Sequence, residues 1–140
     1  AITWSAFKDH PSIPLSMDSI GSPGVTALGN AATVAFALAF IMTCVTFFMF
    51  RSAARKSGAA PACLQALPFV PTGLRIALSN TLLAFGAFTA IAVLWQRFAG
   101  TVTVGPVAAT LVVAGVATIA TAFAETRTKR ALLAECAGVR

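Results

Sequence analysis

The sequence has no tyrosine, a single histidine and only four acidic residues among 140. General acid–base catalysis needs positioned groups that exchange protons near neutral pH, and this set offers few candidates. His10 stands beside Asp9 near the N-terminus, and two adjacent ligands do not make a metal centre, so no metal is expected. Cys44, Cys63 and Cys136 form no C-x-x-C pair, which argues against a redox dithiol or a zinc knuckle. A P-loop, a G-x-G-x-x-G run and a plausible Ser-His-Asp set are all missing. The chain is not expected to be an enzyme. No charged residue stands between Asp18 and Arg51 or between Arg75 and Arg97, so the charged residues that mark ion and proton pathways are lacking there too. Without histidine in these stretches a bis-histidine haem is excluded. No cofactor is predicted, and only a bound lipid or pigment stays open.

What is present is hydrocarbon. Hydrophobic residues make up 58% of the chain, charged residues 10%, and the mean hydropathy is +0.86. Soluble domains carry about 45–50% apolar and about 25% charged residues, so this chain cannot cover its apolar side chains with polar surface of its own. The expected fold is an all-α integral membrane protein with three transmembrane helices, at about 25–50, 74–97 and 102–124. They form a membrane domain over residues 24–125, bounded at Ser22-Pro23-Gly24. A mostly irregular extramembrane tail precedes it at 1–23, with one short turn near Trp4 to Lys8, and a basic tail follows at 126–140. The N-terminal Ala1 fits either removal of an initiator Met or cleavage of a presequence.

The net charge of +6 comes from basic residues that flank the apolar runs. That arrangement points to topology and anionic lipid headgroups, and away from nucleic acid. Arg51, Arg55, Lys56, Arg75, Arg127, Lys129, Arg130 and Arg140 fall on one side of a three-span plan, and Lys8 and Arg97 on the other. The bias predicts an outside N-terminus and an inside C-terminus. Cys63 and Cys136 then lie on the reducing side, where a structural disulfide is not expected. Trp4 and Trp95 read as interfacial aromatics, with Trp4 and Phe7 resting together at headgroup level.

Small and weakly polar residues let helices approach in lipid and mark the expected packing and partner faces. On the first span these are Asn30, Thr33 and Ala37, with Cys44 beyond; Phe36, Phe40 and Phe47 occupy a neighbouring side open to acyl chains, a bound pigment or another subunit. On the second they are Ser79, Gly86 and Ala90, with Asn80 the most polar residue. The third span carries Thr110, Ala114, Gly115, Ala117 and Thr121 and is the expected central, tightly packed helix. Leucine at Gly115 or Ala117 should therefore disrupt assembly, whereas Val113→Leu should be nearly silent. Glu125 and Lys129 are spaced for an i, i+4 ion pair.

These features predict a small non-catalytic accessory subunit of a respiratory, photosynthetic or transport complex. Its setting would be a bacterial inner membrane or an organelle inner or thylakoid membrane, as a multi-pass protein. The expected partners are other integral membrane subunits and anionic lipids. The alternatives are a self-oligomerising holin-like pore and a small multi-copy channel or transporter lined by Asn30, Asn80 and Thr121. Class I phage holins share the plan of three spans, N-out and C-in, with a basic tail, but no motif matches.

Overall fold

A computed structural model describes residues 2–16, 26–57, 63–64, 67–100 and 102–138. In chain order the elements are α1 (Ile2–Phe7), β1 (Ile13–Leu15), α2 (Ala27–Ser57), a wide turn at Phe69–Gly73, α3 (Leu74–Ala99), β2 (Val102–Val104) and α4 (Pro106–Gly138). The three long segments Ala27–Lys56, Phe69–Ala99 and Pro106–Ala137 are long and apolar enough to cross a membrane. Only 28%, 28% and 22% of their apolar windows are buried inside the molecule, so most of that hydrocarbon faces outward, as it does when lipid is the solvent.

Local chemistry sets the helix ends. Arg55 and Lys56 occupy the last turn of α2, where cations meet the negative end of the helix dipole. Gly100 closes α3 at φ 70°, and its N–H donates to the Gln96 carbonyl at 3.0 Å. Glycine takes that conformation without a side-chain penalty. Pro106 opens α4, where its missing N–H is not needed. In the turn before α3, a Cβ on Gly73 would stand 2.5 Å from the Phe69 ring and 3.2 Å from Phe47, so the close approach requires glycine.

α2 packs extensively against both α4 and α3, whereas α3 and α4 meet over a shorter stretch. The central helix is therefore α2, not the third span. Its buried alanines Ala31, Ala35 and Ala39 let two neighbours approach at once.

The two ends differ. At one end β1 pairs antiparallel with β2, placing Ile13 opposite Val104 and Leu15 opposite Val102. Phe7 and Ile13 join Ala27, Ala31, Ala109 and Val113 in one buried cluster. Residues 2–16 thus form a cap, where an irregular tail with one turn was expected. Phe7 is fully buried while Trp4 is exposed, so the two do not rest together. The third span starts at Pro106 and not near 102, because Val102–Val104 pairs with β1. α4 then continues through the basic stretch to Gly138. At 1.5 Å per residue it is about 50 Å long, well beyond a hydrocarbon core of about 30 Å.

At the other, basic end, Phe47, Ala54, Leu64, Ile76, Leu132 and Cys136 form a second buried cluster. Cys63 and Cys136 are joined in a disulfide with Cα atoms 5.7 Å apart. This corrects the expectation that these thiols stay unpaired, which rested on compartment alone. The chain at Cys63–Leu64 folds back on the end of α4 and brings together residues 73 positions apart. Arg75 pairs with Glu135, and Lys129 Nζ with Glu125 Oε1 at 2.5 Å. Both pairs are partly exposed, and such pairs contribute about 0–1 kcal/mol in water. The expected boundary at Ser22-Pro23-Gly24 and Arg140 lie outside the described residues.

Phe7 holds the cap to the bundle, so Phe7→Ala should lower stability by about 3 kcal/mol. It should also open the exposed Lys8 to trypsin while leaving the helical content intact. Thermal melts in detergent and limited proteolysis read the two effects; unchanged cleavage would mean the cap holds by its strand pairing instead.

Candidate functional site

Asn80, Thr43 and Thr128 form a polar layer in the interior, one from each long helix. Asn80 on α3 donates both amide hydrogens, to Thr43 Oγ1 of α2 at 3.3 Å and to Thr128 Oγ1 of α4 at 3.1 Å. Each threonine donates onward within its own helix, Thr43 to the Ala39 carbonyl at 2.8 Å and Thr128 to the Ala124 carbonyl at 2.5 Å. All three side chains are buried. Both amide hydrogens and both hydroxyl protons are therefore used, which a polar group in hydrocarbon requires. One turn towards the basic end on each helix stand Phe47, Ile76 and Leu132, all in the second apolar cluster. One turn the other way, Ala39 and Ala124 are fully buried. The sequence singled out Asn80 but neither Thr43 nor Thr128. The signal for Thr128 was its four-residue step from the alanines at 120 and 124, hidden because the expected span ended at 124.

Several other threonines turn to their own backbones. Thr33, Thr110 and Thr121 donate to the carbonyls of Gly29, Pro106 and Ala117. The hydroxyls of Thr81 and Thr89 are buried without a partner in the structure, a state that costs about 1–3 kcal/mol each.

The faces named from sequence stand mostly elsewhere. Asn30 is half-buried, and Thr33 and Ala37 are exposed; the face of α2 that packs inside the molecule is the Ala31–Ala35–Ala39–Thr43 face. Phe47 is buried and stacks edge-on against Phe69, so it does not face lipid, while Phe36 meets Phe85 edge-on near the surface. Ser79, Gly86 and Ala90 are exposed. On α4, Thr110, Ala117 and Thr121 are half-buried and Ala114 and Gly115 exposed, while the buried line runs through Ala109, Val113, Ala120 and Ala124. Trp4 and Trp95 are both exposed, on α1 and near the last turn of α3. Arg55, Lys56, Arg75, Arg127, Lys129 and Arg130 are exposed and Arg51 half-buried at the basic end. Cys44 is a free thiol on the middle of α2.

This arrangement fixes the helices against one another. Among the described residues no three His, Cys, Asp or Glu side chains cluster as metal ligands. The chain matches no protein-family model, no curated protein and no solved structure.

The polar layer should be measurable in detergent-unfolding titrations. Asn80→Ala removes two hydrogen bonds of about 0.6 kcal/mol each and leaves a small void, for a loss of about 2 kcal/mol. Thr43→Val and Thr128→Val should each lose about 0.6 kcal/mol. On α4 nothing lies within 4 Å of a Cβ at Gly115, whereas Val113 is core, where a lipid-facing position was expected. Gly115→Leu should leave the isolated chain unchanged, while Val113→Ala loses about 2 kcal/mol. An Asn80→Ala midpoint equal to that of the parent chain would show that the node does not hold the bundle.

Proposed function

We propose that this chain is a non-catalytic accessory subunit of a larger membrane complex. The observation that carries the reading is the position of its small residues. Gly86 and Ala90 on α3, and Ala114 and Gly115 on α4, lie on the outside of the chain's own bundle, and a Cβ at either glycine would meet nothing within 4 Å. In lipid, small residues serve close helix–helix contact, and these make no such contact within the chain. Helices of another polypeptide complete them. The pore reading has less support: Asn80, Thr43 and Thr128 are bonded to one another in the interior, and Thr33, Thr110 and Thr121 to their own helices.

The orientation that goes with this reading has the N-terminus outside and the basic end inside, as the eight-to-two distribution of basic residues favours. The Cys63–Cys136 bond pulls the other way, since a reducing compartment keeps such thiols apart. The charge bias outweighs it, because it acts on insertion through every loop, whereas the bond needs only two neighbouring sulfurs.

Two measurements test the proposal. The purified chain should be electrically silent in planar bilayers and should co-purify with other integral membrane proteins in mild detergent; reproducible conductance from the single chain would replace the subunit with a pore. An impermeant maleimide should label Ser5→Cys in intact right-side-out vesicles. Labelling only after permeabilisation would invert the orientation and place the disulfide in the oxidising space.

A further inference from the structure

α3 and α4 touch each other less than either touches α2, and a cleft lies between them. The cleft between them has a volume of about 510 Å³. Leu83, Ala87 and Ile91 form one wall, Val116, Ala120 and Phe123 the other, and Ala35 of α2 joins them. The lining is hydrocarbon almost throughout, so water there would find none of the polar partners that a buried water needs. An empty cleft would forfeit the dispersion contacts of both walls.

The lined stretch of α3 from Leu83 to Ile91 is about 12 Å long at 1.5 Å per residue, room for part of an acyl chain lying along the helices.

Charge at one mouth then selects the amphiphile. Phe123 lies at the end of the cleft nearest the basic end, and the Arg127 guanidinium stands over its ring, 5.5 Å from the centroid. Arg127 is exposed, and among the described residues the carboxylates of Glu125 and Glu135 are engaged by Lys129 and Arg75 instead. A planar guanidinium one turn beyond an apolar slot presents paired N–H donors at the depth where a phosphate headgroup lies. We infer that the α3–α4 cleft holds an acyl chain of one anionic phospholipid, with its phosphate on Arg127. The inference does not depend on the subunit reading, because it concerns a face of the isolated chain.

The full chain is reconstituted in vesicles of equimolar phosphatidylcholine and phosphatidylglycerol, extracted in mild detergent and weighed intact by native mass spectrometry. One phosphatidylglycerol should stay bound per chain, about tenfold over phosphatidylcholine. Arg127→Gln should abolish that preference at unchanged helicity, and Arg97→Gln, at the opposite end, should not. Ala87→Phe, which fills the cleft from an exposed position, should remove the retained lipid of either kind. Equal retention of the two lipids by the parent chain, or retention unaffected by both Arg127→Gln and Ala87→Phe, overturns the assignment. A lipid-free dimer that Ala87→Phe disperses would give the cleft to a second copy instead.

Discussion

Everything in the bundle is registered on one asparagine. In water, burial of apolar surface would drive three such helices together, but in a membrane the lipid tails, as apolar as leucine, would supply no such drive. What remains is close packing and the need to satisfy polar groups. Asn80 has two hydrogens to place, and it places one on each neighbouring helix. A slide of any helix by one turn would move Thr43 or Thr128 out of reach and leave an amide bond donor unmet in hydrocarbon. The apolar layer of Phe47, Ile76 and Leu132 beside it then has only one way to fit.

The ends finish what the node begins. At one end the β1–β2 ribbon and α1 tie the N-terminal segment to the turn between α3 and α4, over a small apolar cluster. At the other, the disulfide and the Arg75–Glu135 pair bind the loop and α3 to α4. Between these closures only α2 keeps both partners close along its length, and the gap left by α3 and α4 is the cleft.

The three long apolar helices were legible because length, hydropathy and the absence of charge are properties of single segments. The start of α4 at Pro106 was not legible, since the strand residues before it read as part of the same helix. Nor were the faces. A stripe such as Thr33–Ala37 is small enough to pack, but so is Ala31–Ala35–Ala39, and composition cannot rank two alanine-rich sides of one helix. Asn80 stood out as polar, yet its partners lie 37 positions before it and 48 after, and local periodicity carries no information over such distances. The ribbon was missed because three-residue strands show no period of their own. The cysteine pair was missed because compartment was reasoned first and chain path could not be.

That pair changes the covalent topology of the molecule. Closing Cys63 on Cys136 turns α3, β2 and α4 into a single loop of chain, with α2 and the capping segment attached as a branch. A backbone cut in the turn around Gly100 would sever the chain without releasing a fragment. The two pieces would migrate as one species until a thiol reductant parted them, so the hairpin that faces away from the basic end can be nicked and the protomer still counts as whole.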